Sequence, residues 1–362
     1  MASTGDPLAR HYRRLLLSYP RAYRRERGEE ILGLLLDTAP AGRTRPTVRE
    51  ALDLVRGGLR CRLGRPASRT VGVWAALTAL ICGLFTAALA ARLAWETSRP
   101  QADRAEASQI FGTVLPDHDL GEIHVPPALF VMYNQPVRWQ AVPNLLGGDG
   151  GEYRESSVVA SAAGVPPVPA TRTLATARQR LRETGWHLDR DVTRFQDCAT
   201  CEAAQPFTDI IASRGDTVLH LMVSPGHPPD PTYLMVYLQR RTPALVYPAA
   251  TLAGLLGAAA GWLFFGWVSR RTDRPGFGAA LAVPLLGTTV LLWWLPVLFG
   301  VPWTVRQLVR APHPQWPPLW EWLGQPTFGP LFLLGTVTGL LGLALAARPG
   351  RQRTPRTRAA AG

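Results

Sequence analysis

The chain has 362 residues, of which 47% are hydrophobic, and a formal charge of +13 from 39 basic and 26 acidic side chains. The apolar content excludes a disordered chain, and four cysteines in a chain of this length exclude a small disulfide-stapled protein. Every basic side chain is Arg, and an excess of this size points to nucleic acid unless its distribution along the chain gives it another role.

Residues 1–70 are predicted to form a small cytoplasmic domain of three short amphipathic helices, with Pro20 interrupting the first helical stretch. The segment from Thr47 to Glu50 predicts a capping box at the start of the third helix, in which each side chain bonds the backbone N–H of the other residue. A basic cluster follows Pro20, and we interpret it as a docking surface for anionic lipid headgroups or for a protein partner. It consists of Arg21, Arg24, Arg25 and Arg27.

The run from Tyr12 to Ile31 carries a pattern composed of Arg14-Leu15-Leu16, Tyr19-Pro20, Arg24, Gly28 and Glu30. It resembles the opening of many actinobacterial membrane proteins. The pattern is similar to the permease prefix domain of FtsX/MacB-like ABC permeases and to HAAS-type signalling domains associated with PadR-type regulators. The resemblance implies a cytoplasmic docking or regulatory module, and it carries over no catalytic residues.

Four apolar runs are each long enough to cross a membrane as a helix, because about 20 residues at about 1.5 Å per residue span a hydrocarbon core of about 30 Å. They cover residues 71–91, 244–268, 277–300 and 329–347. The first begins too late to be a cleavable signal peptide and is predicted to be an uncleaved anchor. None contains Asp, Glu, Lys, Arg or His, which disfavours ion-coupled transport.

Arg is concentrated in residues 1–70, in the short loop 269–276 and in the basic tail 348–362. By the positive-inside rule, these segments are cytoplasmic, and segments 96–242 and 301–328 face outward. The charge is therefore interpreted as an orientation signal. We expect a multi-pass protein of the bacterial cell membrane with both termini cytoplasmic, with the lipid bilayer as a partner and no nucleic acid.

Residues 96–242 are predicted to form one extracytoplasmic α+β domain. A helix over Thr173–Thr184, ended by Gly185, precedes extended stretches around 187–195, 207–213, 217–224 and 233–240. Its first half, to about Pro169, is rich in Pro and Gly and is predicted to contain loops at 147–151 and 165–169. The tripeptide Arg214-Gly215-Asp216 matches an integrin-binding motif, but it falls where two strands need a turn, and we interpret it as a hairpin.

Two groups of residues in this domain could carry chemistry. Cys198 and Cys201 form a CxxC motif, for which a structural disulfide is the favoured interpretation and a redox role and metal binding are the alternatives. His118, Asp119, Glu122 and His124 could bind metal but match no ligand spacing, and we interpret them as surface-loop residues. We therefore predict no catalytic, cofactor-binding or metal site.

The later spans carry two GxxxG patterns, Gly257 with Gly261 and Gly335 with Gly339, which allow helices to approach closely. They are interpreted as packing against each other or against a second copy of the chain in a homodimer. Pro284 and Pro296 predict a kink in the third span. The Trp- and Pro-rich loop 301–328 is predicted to lie in the outer headgroup layer, with an aromatic binding platform as the alternative.

The predicted fold class is a membrane protein of four transmembrane helices with a small cytoplasmic three-helix domain and an extracytoplasmic α+β domain. Its order of one span, a large external domain and three further spans resembles the topology of FtsX/MacB-like permeases. We expect a non-enzymatic sensor, regulatory or docking protein without a cofactor, whose cytoplasmic partner is a regulator. The alternative is a permease-like component or accessory of an ABC exporter, partnered by an ABC ATPase.

Overall fold

A computed structural model describes residues 7–40, 42–64, 68–132, 153–163, 169–189, 191–196, 205–224, 233–273, 277–310 and 329–348. The described chain is mostly helical, with four long apolar helices and antiparallel β-structure. It divides into two compact units. One comprises residues 1–86, 254–292 and 334–362, and the other comprises residues 87–253 and 293–333.

The helices are α1 (Pro7–Leu15), α2 (Arg21–Asp37), α3 (Val48–Cys61), α4 (Arg69–Ala94), α5 (Arg104–Val114), α6 (Ala170–Glu183), α7 (Val246–Thr272), α8 (Phe277–Arg310) and α9 (Gly329–Ala347). The strands are β1 (Phe130–Met132), β2 (Tyr153–Glu155), β3 (Val158–Ala163), β4 (His187–Leu188), β5 (Val192–Gln196), β6 (Gln205–Arg214), β7 (Thr217–Ser224) and β8 (Tyr233–Arg240).

The first unit begins with a three-helix domain, α1 to α3, in which Pro20 separates α1 from α2. Its capping box forms: the Glu50 N–H donates to Thr47 Oγ1 at 3.2 Å, and the Thr47 N–H donates to Glu50 Oε2 at 3.0 Å. Tyr12 donates to the same carboxylate at 3.0 Å, so Glu50 also joins α1 to α3. The small core of this domain contains Leu8, Tyr12, Leu16, Leu32 and Leu54.

Four helices are long and apolar enough to cross a membrane, over Arg69–Thr97, Val246–Thr272, Phe277–Leu298 and Gly329–Ala347. Their large apolar side chains are exposed, as in Leu89 at 61% and Leu255 at 67%, which suits contact with lipid. These helices support the prediction of a multi-pass membrane protein.

The third of these helices extends further than the sequence predicted. Helix α8 runs to Arg310, so the first ten residues of the predicted outer loop 301–328 are helical instead. The run from Arg306 to Arg310 consists of Arg, Gln, Leu and Val, which continue a helix at little cost. No Pro occurs between Pro302 and Pro312. Residues 311–328, with most of the loop's Trp and Pro, lie outside the described residues.

The second unit contains a six-stranded antiparallel sheet with the order β3-β8-β7-β6-β4, in which β5 also pairs with β6. Arg214 is the register partner of Thr217, and Gly215 between them has a φ of +61°, a conformation that favours glycine. The tripeptide at 214–216 is therefore the β6–β7 turn. A separate pair, β1 and β2, is also antiparallel.

One face of the six-stranded sheet packs against α5 and α6. Alternate strand residues such as Leu219, Leu221 and Val236 are fully buried there against Phe111 of α5 and Leu181 of α6. Helix α6 stops where predicted, because Gly185 adopts a φ of +77° and the Trp186 N–H donates to the Leu181 carbonyl at 2.9 Å.

Several elements of this unit differ from the sequence expectation. Helix α5 and strand β3 lie in the half that was predicted to be rich in loops, and Asp103 caps α5 by accepting from the Glu106 N–H at 2.8 Å. The predicted strand at 187–195 is two strands, β4 and β5, which pair with different parts of β6. The predicted loops at 147–151 and 165–168 lie outside the described residues.

Candidate functional site

Helix α7 packs against α4 through a face of small residues in the first unit. An added Cβ at Gly257 would overlap the side chain of Thr86, and one at Gly261 would lie 2.9 Å from the Cβ of Cys82. Across the same contact, an added Cβ at Gly83 would lie 3.0 Å from the Gly254 carbonyl oxygen. The two helices therefore touch closely enough that only glycine fits at these positions.

Further along, α7 is bound to the three-helix domain, at contacts that we call the α3–α7 junction. Trp262 Nε1 donates to the Leu59 carbonyl at 3.1 Å, and Arg270 donates to the Arg62 carbonyl. An added Cβ at Gly266 would lie 2.7 Å from that same carbonyl oxygen. The end of α3 is thereby fixed to α7 by two hydrogen bonds and one close backbone approach.

Arg62 extends the junction into the three-helix domain. Its Nε donates to the Ser18 carbonyl at 2.6 Å, and its Nη2 donates to the Leu17 carbonyl at 3.0 Å. These carbonyls lie at the short 3₁₀ turn that ends α1, where backbone acceptors lack partners within the helix. A continuous set of hydrogen bonds therefore connects α7, through Arg62, to the turn between α1 and α2.

The other end of α7 contributes to a cluster in the second unit. Val246 packs with Trp95, which directly follows α4, and with Phe130 of β1. Trp95 meets the Phe130 ring edge-on at 5.4 Å, and the Arg92 guanidinium lies 4.4 Å from the centre of the same ring. Within the second unit, the β1–β2 pair is thus attached to the last turn of α4 and the first turn of α7.

A group of charges surrounds the β6–β7 turn. Asp216 accepts from Arg99 Nε at 2.7 Å and from Arg99 Nη2 at 2.5 Å, and it lies 3.5 Å from Arg240 Nη1. Hydrogen bonding to Arg99 lowers the pKa of Asp216 to about 2. Arg240 is buried and also donates to the Thr217 hydroxyl and the Pro100 carbonyl, both at 2.7 Å. These charges hold the turn against the segment that follows α4.

Glu155, at the end of β2, has an unusual environment. Its Oε1 is shielded from solvent and has no hydrogen-bond partner among the described residues, while the carboxylate accepts from the Arg240 N–H. Burial raises the pKa of Glu155 to about 8, and the backbone bond opposes this only in part. Near neutral pH the group is therefore largely a neutral carboxylic acid.

The predicted basic cluster lies at the start of α2. Arg21, Arg24 and Arg25 line a cleft of about 300 Å³, and Arg27 is exposed nearby. The first turn of α2 contains no acidic residue and its N-cap, Pro20, makes no side-chain cap bond, so the positive helix end and the guanidinium groups add to one another. Such a surface attracts phosphate or carboxylate groups.

The two predicted GxxxG pairs lie against different neighbours within the chain. Gly257 and Gly261 face α4, as described above. Gly335 and Gly339 are buried in α9, and an added Cβ at Gly339 would lie 3.1 Å from the Thr289 methyl group of α8. The Thr289 hydroxyl is hydrogen-bonded to the Thr338 hydroxyl at 3.0 Å, which fixes the same helix pair. The homodimer remains a prediction.

The predicted cysteine motif, Cys198 with Cys201, lies outside the described residues. Cys61 and Cys82 are free thiols. In the segment that we interpreted as a surface loop, His118 bonds the Thr173 hydroxyl at 3.2 Å and Glu122 lies 3.5 Å from Arg104. Within the described ranges no group of three or more His, Cys, Asp or Glu side chains is arranged to hold a metal ion.

Sequence reasoning missed the residues of the α3–α7 junction and of the charge group at the β6–β7 turn. Arg270 lies in the Arg-rich loop 269–276 that indicates orientation, and Arg62 and Arg99 belong to no predicted motif. No local pattern marks them, because Arg62 and Arg270 are 208 positions apart, and Arg99 and Asp216 are 117 apart.

Comparison of the chain with models of protein families, with curated proteins and with solved structures finds no match. The fold and the contacts described above therefore carry the functional argument. The likeness of the N-terminal helices to permease prefix and HAAS-type domains remains a prediction.

Proposed function

We propose that the chain is a non-enzymatic, multi-pass protein of the bacterial cell membrane. In this proposal it couples the outward-facing domain 96–242, which we call the sheet domain, to the cytoplasmic three-helix domain. In this proposal the sheet domain senses or binds a ligand, and the helical domain docks a cytoplasmic regulator. Both termini are cytoplasmic.

The observation that carries the proposal is the set of contacts made by α7. This single helix follows β8 after five residues, packs with Trp95 and Phe130 near its start, and meets Leu59 and Arg62 near its end. A shift or rotation of α7 would change the contacts near its start and those near its end together. Helices that pack through glycine faces and backbone hydrogen bonds move between discrete arrangements and do not deform smoothly. A change at the sheet domain then has a physical route to the helical domain.

The orientation rests on charge and on aromatic residues. Arg270 and Arg271 occupy the last turn of α7, and the Arg271 guanidinium lies 5.4 Å from the centre of the Trp267 ring. Trp and Arg together at a helix end are typical of a membrane interface, and Arg is typical of the cytoplasmic one. The second unit carries no comparable excess of Arg in its sheet domain.

The docking surface of the helical domain is its basic cluster. Arg21 and Arg25 are exposed, and Arg24 has its Nε shielded without a hydrogen-bond partner among the described residues. Three guanidinium groups without acidic neighbours in the first turn favour an acidic segment of a regulator, with anionic lipid as a second contact.

Affinity purification of the full chain from native membranes in mild detergent tests this proposal. We expect a cytoplasmic regulator to co-purify and to be reduced at least tenfold by the triple change Arg21→Ala, Arg24→Ala and Arg25→Ala. A matched control removes the same charge from other exposed sites of the domain, Arg10→Ala, Arg14→Ala and Arg49→Ala, and should retain the partner. Recovery of a stoichiometric ABC ATPase would replace the proposal with the exporter alternative.

A further inference from the structure

The six-stranded sheet has a second face, opposite the one that packs on α5 and α6. Because side chains alternate along a strand, the residues between the core positions point to this face. They include Val218, His220 and Met222 of β7, which alternate with the buried Leu219, Leu221 and Val223. The sheet face turned away from α5 and α6 therefore carries apolar, polar and sulfur-containing side chains.

Strand register aligns these side chains in two adjacent rows across the sheet. One row is Asp209, Met222, Met235 and Ser161, and the next is Ile211, His220, Tyr237 and Val159. Met222 and Met235 are direct Cα partners on β7 and β8, and they are two of only four methionines in the chain. Side chains paired in this way have Cβ atoms about 5 Å apart, so both thioethers can reach one point.

His220 lies in the row next to this methionine pair, with an acidic side chain near its ring. Its Nδ1 is 3.8 Å from Asp209 Oδ1, and the side chains of both residues are mostly buried, at 14% and 5% exposure. On the other side, the Tyr237 hydroxyl donates to Met235 Sδ at 3.0 Å. Two thioethers, an imidazole and a carboxylate 3.8 Å from the imidazole therefore share one sheet face.

We propose that this face binds a Cu(I) ion through Met222 Sδ, Met235 Sδ and His220 Nε2, with Asp209 orienting the imidazole through Nδ1. Thioether sulfur is a soft ligand that selects Cu(I) over Zn²⁺ and the hard divalent ions, and imidazole suits copper. A carboxylate behind a ligating histidine fixes the ring and raises its basicity. The proposal rests on the proposed function for the outward placement of the sheet domain, and it names the class of ligand that the domain takes.

The test is an anaerobic titration of the full-length protein in detergent with Cu(I), in competition with a chromophoric Cu(I) chelator. We expect wild type to bind one more equivalent than the double variant Met222→Leu, Met235→Leu, which keeps the size and apolar character of both side chains. Met132→Leu, in β1, is the matched control and should bind like wild type. The four cysteines are present in every variant, so the difference between variants reports the thioethers.

Two further arms sharpen the result. Asp209→Asn should keep the site but weaken it by about 10–100-fold, as for other residues that support a ligand. A parallel Zn²⁺ titration should give the same result for wild type and the double variant. Equal Cu(I) binding by wild type and the double variant, or a parallel loss of Zn²⁺, would overturn the proposal.

A spectroscopic measurement covers the case in which the double variant fails to fold. Wild-type protein grown with selenomethionine and loaded with Cu(I) should give copper–selenium scattering in its X-ray absorption spectrum, because only methionine carries selenium. Absence of that scattering would also overturn the proposal. Surface labelling tests the outward placement separately, so a cytoplasmic sheet domain would defeat the proposed function and leave the binding result standing.

Discussion

Asp216 illustrates how a side chain acquires a role that its sequence motif does not suggest. The tripeptide 214–216 has the letters of an adhesion motif, yet the Asp216 carboxylate is bound by Arg99, and the Arg214 guanidinium lies 4.8 Å from the centre of the Trp186 ring. Both charged side chains are thus used within the chain. Gly215 supplies the positive φ of the turn.

Glu155 makes the stability of the sheet unit depend on pH. The pKa of Glu155 is raised from 4.5 to about 8 in the folded protein. The contribution of its neutral carboxyl group to the free energy of unfolding is therefore fully present below about pH 4.5 and is lost as the pH rises through 8. Glu155→Gln keeps an acceptor for the Arg240 N–H and cannot ionise. We expect this variant to lie within about 1 kcal/mol of wild type at pH 5 and to be more stable than wild type at pH 9, by on the order of 4 kcal/mol.

Thermal unfolding of the detergent-solubilised protein at the two pH values measures this difference. Glu122→Gln, at an exposed site in the same unit, is the control and should alter neither melting temperature appreciably. A Glu155→Gln variant that follows wild type at both pH values would mean that the carboxyl group is already solvated in the folded protein.

At the scale of elements, the glycine face of α7 determines how closely two apolar helices approach. Gly257→Ala would place a methyl group against Thr86, whereas Gly287→Ala, in α8, would place one where nothing lies within 4 Å. We expect the first to destabilise the protein by about 1–3 kcal/mol, because the helices must separate. The second should be neutral or stabilising, since alanine favours helix over glycine.

Melting temperatures of the two alanine variants in the same detergent provide the comparison. The helix-propensity gain is common to both, so the difference between them reports the α4–α7 contact alone. Equal melting temperatures would show that the contact contributes nothing measurable in the folded protein.

Elements also differ in how far the sequence predicted them. The hairpin at 214–217, the capping box at Thr47 and Glu50 and the end of α6 at Gly185 were predicted, because each depends on residues a few positions apart. Helix α5 was missed although Asp103 and Glu106 mark its start. The extra length of α8 was missed because an apolar run fixes the membrane-crossing part of a helix, not the end of its hydrogen bonding.

At the scale of the whole molecule, the prediction concerns orientation. In a chain whose native cysteines are replaced by serine, Ser108→Cys in α5 should react with a membrane-impermeant maleimide in intact cells. Asp273→Cys, just after α7, should react only after permeabilisation, because the proposed topology, based on Arg270 and Arg271, places that end in the cytoplasm. Both sites are exposed, so access across the membrane decides the result. Labelling of position 273 from outside would show that the chain has the opposite orientation to the one proposed.

The sequence by itself determined the four apolar helices, the small N-terminal helical domain and a helix on an antiparallel sheet, because apolar run length, periodicity and turn residues act locally. Only the tertiary structure decided that Gly257 faces Thr86, that Arg270 binds the Arg62 carbonyl and that Met222 opposes Met235. The GxxxG pattern states that a helix can be approached closely, and it does not specify the partner. These contacts join residues distant in the chain, so they depend on how the elements pack.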